Sequence, residues 1–289
     1  MTIYIQSCGK SQDHDYCWLE VRKDNQAPAT PLLLERIKPE ELIDSQKPSI
    51  ILARSDKFLV LLVMSLKAGD ERLDFMGRQI YNSVAWVEIE SPDTERQLRK
   101  IAIQALNKDL ADIVDKAVEN NADSKYGFRA DFDKLKTIGK SSHNGGTNST
   151  KDPFKRFVGK DNESLRSELI QELTEYALPK RSGDIQLLVV VTTMKSENGF
   201  QRKGVWRGLS SRIESEDWVE LDAERIEEPD SQKKTRPGFG ILVALFVVGL
   251  IAVTALFLIN HPTARDSQPE SIDPSKLGLM ETVPQHFLS

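Results

Sequence analysis

One uninterrupted apolar stretch near the C-terminus constrains this chain more than any other feature. Residues 238–259 read GFGILVALFVVGLIAVTALFLI, which is 22 residues without a charged side chain, 15 of them Leu, Ile, Val or Phe. As a helix it would be roughly 33 Å long, and the hydrocarbon core of a bilayer is about 30 Å thick. We therefore expect one transmembrane helix here. A buried core helix is the alternative, and the apolar surface on every side of the stretch disfavours it.

The charges on either side of the stretch predict its orientation. Lys233, Lys234 and Arg236 precede it, whereas Arg265 and Lys276 are the Lys and Arg residues in the 20 positions that follow it. Because Lys and Arg collect on the cytoplasmic side of a span, we expect the N-terminal part in the cytosol and the C-terminal tail outside. The first residues contain no basic segment followed by a long apolar run, as a secretory signal would.

These features predict a division of the chain into four parts. Residues 1–222 are expected to form a cytosolic domain that contains a polar, mobile insertion at about 134–160. Residues 223–237 read as a charged stalk, 238–259 as the span and 260–289 as a short extracytoplasmic tail. In this layout the chain resembles tail-anchored proteins.

Small residues within the span raise the question of self-association. Gly240, Ala244 and Ala252 fall on one helical row, and small residues at such spacing let two helices approach closely. Homo-oligomerisation through this row is one expectation. A plain membrane anchor is the alternative, because Gly and Ala are common in any span.

Composition narrows the classes of partner. The net charge of −5 and the pI of about 5.6 give no reason to expect nucleic-acid binding. Cys8 and Cys17 are expected to be reduced in a cytosolic domain. With only His14 between them they do not match the four-ligand spacing of structural zinc sites. We expect neither a metal nor a cofactor.

The order of apolar patterns predicts an α/β or α+β fold, in which amphipathic helices pack on a mixed β-sheet. The run 58–64 is apolar at every position, which is typical of a central strand covered on both faces. Ser91, Pro92 and Asp93 read as a helix start. Strands are predicted at 2–7, 15–21, 49–53, 58–64, 80–89, 185–193 and 217–221, and helices at 91–119 and after Asp161.

Asp74, Arg78 and Asn82 form the most interesting polar cluster, at the entry to a predicted core strand. Segments beside strand ends often carry binding sites, so a ligand or catalytic site is one interpretation. A structural network, in which Asp74 and Arg78 close a turn, is the other. Asn82 shares a strand face with Trp86, and a buried polar group there needs a hydrogen-bond partner.

Two further stretches carry weaker signals. Cys8, His14 and Asp15 would form a nucleophile and a base only if the fold brought them within hydrogen-bond reach; otherwise the cysteine simply packs. The segment 206–212 (WRGLSSR) is basic and aromatic, and would suit phosphate or anionic lipid near a membrane. A solvated loop is its alternative.

Three functional hypotheses follow from the sequence. The anchor and the absence of a complete catalytic motif favour a membrane-held interaction or regulatory domain with a protein partner. A membrane-linked enzyme or ligand-binding domain, with its site near Asp74, Arg78 and Asn82, is the second. The third is an effector whose span self-associates and perturbs the bilayer.

Overall fold

A ten-stranded mixed sheet forms the centre of the domain. The computed structural model describes residues 1–44, 46–140, 149–152 and 154–221. Its strands are β1 (Thr2–Ser7), β2 (Cys17–Val21), β3 (Gln26–Pro28), β4 (Ser49–Ser55), β5 (Phe58–Lys67), β6 (Tyr81–Ile89), β7 (Val118–Asn120), β8 (Phe128–Ala130), β9 (Arg156–Lys160), β10 (Ile185–Thr192), β11 (Arg207–Ser210) and β12 (Val219–Leu221). The order across the large sheet is β12-β9-β11-β10-β4-β5-β6-β1-β2-β3, while β7 and β8 form a separate hairpin.

Strand pairing confirms the predicted mixed sheet. β4, β5 and β6 form an antiparallel meander, whereas β10, β11 and β9 are parallel neighbours. The expectation of a central strand at 58–64 is confirmed, because β5 lies between β4 and β6 and Val60 and Leu61 are fully buried.

Helices cover both faces of the sheet. They are α1 (Leu32–Ile37), α2 (Pro92–Leu106), α3 (Leu110–Asp115), α4 (Phe132–Thr137), α5 (Glu163–Glu175) and α6 (Glu197–Lys203). α2 to α5 pack with Trp86 and its neighbours on one face. α1 and α6 pack on the other face through Leu34, Ile37 and Phe200. Each face of the sheet thus has its own apolar core.

Local capping explains where the two long helices begin. Ser91 accepts a hydrogen bond from the Thr94 backbone at 3.1 Å and Pro92 occupies the first helical position, as the sequence predicts. The second long helix begins one residue later than predicted. Asn162 caps it, because Asp161 is engaged by the side chain of Arg166.

Two predicted segments of the chain are divided differently in the structure. The helix predicted at 91–119 is wrong as one element, since α2 ends at Leu106 and Lys108 adopts a left-handed conformation before α3. Two ordered elements lie inside the predicted polar insertion 134–160: the end of α4, which Asp131 caps, and β9 at Arg156–Lys160. Residues 141–148 and 153 lie outside the described residues.

The membrane-related expectations also fall outside the described residues. These are the stalk 223–237, the span 238–259 with Gly240, Ala244 and Ala252, and the tail 260–289. Across the described ranges, which end at Leu221, no helix combines the length and apolar character needed to cross a bilayer.

Strand direction gives the sheet two distinct ends. β12 ends at Leu221, opposite Arg156, the first residue of β9. The β4–β5 turn and the starts of β10 and β11 lie at this same end, which we name the exit end. At the opposite end, named the distal end, β1 finishes at Ser7 and residues 68–80 connect β5 to β6.

Candidate functional site

Asp74 and Arg78 close a tight hairpin loop at the distal end. The Asp74 backbone N–H donates to the Arg78 carbonyl at 2.9 Å, and that of Gly77 donates to the Asp74 carbonyl at 3.0 Å. Gly77 takes the left-handed conformation such a short loop requires. The Arg78 Nε also donates to the Asp74 carboxylate at 2.7 Å. The ion pair between the two side chains therefore stabilises the turn.

The electrostatics of Asp74 agree with this structural role. Partial desolvation acts to raise the pKa of its carboxyl. The hydrogen bonds from Arg78 and from the Met76 backbone outweigh that effect and lower the pKa below its ordinary value. The carboxylate is therefore charged and already occupied by three N–H donors at neutral pH.

The turn presents apolar side chains to solvent. Phe75 is 51% exposed and Met76 is 63% exposed at its tip. Leu73 belongs to the same hairpin, Tyr81 follows it at the start of β6, and Leu73, Tyr16 and Tyr81 are each more than a third exposed. The hydroxyl of Tyr16 accepts a hydrogen bond from the Tyr81 backbone at 2.9 Å, which ties the two tyrosines together. We name these five side chains the distal patch.

Cys8 contacts Tyr16 and is not arranged as an activated nucleophile. It is buried, and the hydroxyl of Tyr16 shares a hydrogen bond with its thiol. Burial raises the pKa of the Cys8 thiol above its usual value, so the thiolate is disfavoured at neutral pH. Burial likewise raises the pKa of Tyr16, to about 12. The pair acts as packing for the loop that carries Tyr16.

Asn82 belongs to a different group of contacts, inside the domain. Its side-chain oxygen accepts from the Ser7 hydroxyl at 2.8 Å and lies 3.5 Å from Nη1 of Arg72. Arg72 also donates to Ser7 at 3.1 Å, to Asp115 at 3.3 Å and to the Val118 carbonyl at 3.3 Å. We name Ser7, Arg72, Asn82 and Asp115 the buried network.

The buried network is enclosed except at Asp115, whose side chain is 25% exposed. Asn82 is fully buried and Arg72 nearly so. Desolvation lowers the pKa of Arg72, while the carboxylate of Asp115 acts in the opposite direction. The amide nitrogen of Asn82 and Nε of Arg72 have no hydrogen-bond partner among the described residues. Together these contacts fasten the connection 68–80 to the end of β1 and to α3.

The structure therefore brings Asp74 and Arg78 together and gives Asn82 separate partners. Sequence reasoning missed Ser7, Arg72 and Asp115 as those partners, although the need of Asn82 for a partner was readable. It also missed the distal patch. The sequence feature that could have indicated this patch is the apolar pair Phe75 and Met76 within a polar turn.

Open concave surface lies elsewhere, beside the β2–β3 turn. Two adjoining grooves of about 250 and 290 Å³ share Lys23, Arg129 and Ala130. Their walls mix cations, among them Lys116, with acids such as Glu119 and Asp133. Within residues 1–221 as described, no group of three or more His, Cys, Asp or Glu is placed to hold a metal ion.

Comparisons with protein-family models, with curated proteins and with solved structures each find no match to this chain. Its function must therefore be inferred from its own sequence and geometry.

Proposed function

We propose that this protein is a membrane-anchored cytosolic interaction or regulatory domain, held by the single-pass helix 238–259 and contacting a protein partner through the distal patch. The distal patch is the observation that carries the proposal. It consists of Tyr16, Leu73, Phe75, Met76 and Tyr81. It lies at the end of the sheet opposite Leu221, the last described residue before the predicted span.

The composition and rigidity of the patch suit a protein interface. Tyr, Phe and Met are enriched in interface cores, and clustered apolar side chains on a protein surface commonly mark interaction sites. The Asp74–Arg78 ion pair and the left-handed Gly77 fix the turn that carries Phe75 and Met76. Because these side chains are presented on an ordered hairpin, little conformational entropy is lost when a partner binds.

The contacts of Asp74, Arg78 and Asn82 favour this function over a ligand-binding or enzymatic one. Asp74 and Arg78 satisfy each other, and Asn82 is enclosed by Ser7 and Arg72. The three side chains do not converge on shared open space. Ligand binding by this trio stays a prediction, as does homo-oligomerisation through Gly240, Ala244 and Ala252.

Removing the apolar tip of the distal patch tests the proposal. In the full chain, Phe75→Ser together with Met76→Ser should leave the fold intact, because both side chains are largely exposed. Central aromatic and apolar anchors commonly contribute 2 kcal/mol or more to binding, so we expect partner recovery from native membranes to fall roughly tenfold or more. Quantitative affinity purification, with the variant and the wild type processed in parallel, measures this.

Leu32→Ser supplies the matched control. Leu32 is 73% exposed on α1 and lies outside the distal patch. A specific partner is one that wild type and the Leu32 variant retain and the double variant loses. If every protein recovered with the wild type is equally recovered with the double variant, the distal patch is not the partner surface.

A further inference from the structure

We propose that the exit end of the domain docks on an anionic lipid surface, with Phe154 entering the interface and Lys151, Arg156, Lys180 and Arg181 facing the headgroups. We name these five side chains the exit surface. The inference rests on the proposed membrane anchor and adds a second, lipid-facing side to the domain.

Phe154 is the most exposed large apolar side chain among the described residues, at 95%. Phe154 lies on a loop whose backbone accepts hydrogen bonds from the Arg207 side chain. That guanidinium donates to the Lys155 carbonyl at 3.0 Å and to the Lys151 carbonyl at 3.4 Å. The indole N–H of Trp206 donates to the Asp152 carbonyl at 3.3 Å. The loop is thus fastened at several points while its phenyl ring is left in solvent.

Both interpretations of segment 206–212 are changed by the structure, because Arg207–Ser210 form the buried strand β11 and not a solvated loop. The Arg207 guanidinium is buried against Glu172 and stacks over Trp206, 4.1 Å from the ring centroid. A side chain in that position supports the loop above it and is not available to a headgroup. The residues that are available belong to the exit surface.

The exposed cations of the exit surface have no acidic partner among the described residues. Lys151, Arg156, Lys180 and Arg181 are all exposed and enter none of the ion pairs in that part of the chain. Hydrogen bonds bring their segments side by side: the Ala177 backbone N–H donates to the Ser149 carbonyl at 3.0 Å, and the Thr150 hydroxyl to the Leu178 carbonyl at 3.0 Å.

Acidic groups also lie near these cations. Lys155 pairs with Glu220 at 3.0 Å, so these two charges offset each other. Asp152 and Asp184 are the exposed acids nearest in sequence to the four free cations. The four cations thus outnumber Asp152 and Asp184, in a chain whose net charge is −5.

The position of the C-terminal connection identifies lipid as the occupant. Leu221 lies opposite Arg156 at the exit end, and only residues 222–237 separate it from the apolar stretch. Sixteen residues reach at most about 58 Å even when fully extended. A span at 238–259 would keep Leu221 within that distance of the bilayer, which favours lipid as the occupant of the exit surface.

The chemistry of the exit surface fits that occupant. Each Lys or Arg close to an anionic leaflet strengthens membrane association by about fivefold. Aromatic side chains favour the boundary between headgroups and hydrocarbon. The acidic run 222–230 of this same chain is the competing occupant of a basic surface, so the experiment must separate the two.

Photo-crosslinking of the full chain in nanodiscs makes that separation. Benzoylphenylalanine is placed at position 154, or at 194 as the control. Met194 is 37% exposed and follows β10 at the distal end. In phosphatidylserine-containing discs we expect at least about tenfold more lipid adduct from position 154 than from 194. The excess should shrink in phosphatidylcholine discs. The double variant Lys151→Gln with Lys180→Gln should lower the lipid adduct from position 154 by about 5-fold to 25-fold, because each lysine contributes up to about fivefold.

The outcomes distinguish failure of the membrane anchor from failure of the docking. A chain that does not co-purify with the discs would overturn the anchor, and the docking with it. A chain that co-purifies but gives equal lipid adducts from positions 154 and 194 would overturn the docking alone. Adducts from position 154 to residues 222–237 or to another protein, in place of lipid, would do the same.

Discussion

Glu172→Ala is expected to lower the free energy of unfolding by about 3–5 kcal/mol, because it leaves a buried guanidinium charged and unpaired. Arg207 is only 2% exposed and its Nη2 lies 2.6 Å from the Glu172 carboxylate. Its Nε donates to the same carboxylate at 2.9 Å. Urea unfolding of the full chain in detergent, followed by tryptophan fluorescence, measures the loss.

Two companion variants isolate the cause. Glu168 lies one turn earlier on α5, and its exposed carboxylate accepts a hydrogen bond from the Trp218 indole at 3.0 Å. Glu168→Ala should lower the free energy of unfolding by less than about 1 kcal/mol. Combining Glu172→Leu with Arg207→Met removes both charges and should destabilise less than Glu172→Ala alone. Equal losses of unfolding free energy for Glu172→Ala and Glu168→Ala would contradict the expected penalty for leaving Arg207 buried without its carboxylate partner.

Trp86→Ala is the second large effect, with an expected loss of about 3–5 kcal/mol from cavity formation. The indole is fully buried between the sheet and the helices, and its N–H donates to the Leu135 carbonyl of α4 at 3.3 Å. Trp86→Phe keeps most of the packing and loses that hydrogen bond, so it should cost about 1–3 kcal/mol.

Ile89→Ala controls for a change in the same strand. Ile89 lies on the opposite face of β6 and is 51% exposed, so its truncation should cost less than about 1 kcal/mol. The same urea titration ranks the three variants. If Trp86→Ala proves no more destabilising than Ile89→Ala, the core between the sheet and helices α2 to α5 does not govern stability.

Local patterns in the sequence were enough to predict the central strand and the start of the first long helix. The unbroken apolar run 58–64 and the capped helix start at Ser91 are local signals, and both are confirmed. The missed elements are short and depend on distant partners. β11 (RGLS) has little strand character of its own, and it is ordered by pairing with β10 and β9 while Arg207 binds Glu172.

The candidate site divides in the same way. Closure of a turn by Asp74 and Arg78 was one of the two interpretations that the sequence allowed, since they are only four positions apart. The partners of Asn82 could not be read, because Ser7 lies 75 positions away. The distal patch was hidden for the same reason: Tyr16 meets Tyr81 across 65 positions.

Alkaline extraction of membranes containing the full chain tests the central claim most directly. We expect the wild-type chain to stay in the membrane pellet. Leu245→Arg with Leu250→Arg should release it, because each Arg at the centre of a span costs about 2.5–3.5 kcal/mol and together they offset the favourable insertion of the apolar residues. Extraction of the wild-type chain as readily as the double-arginine variant would contradict membrane anchorage, and with it the assignment of one end of the domain to lipid and the other to a cytosolic partner.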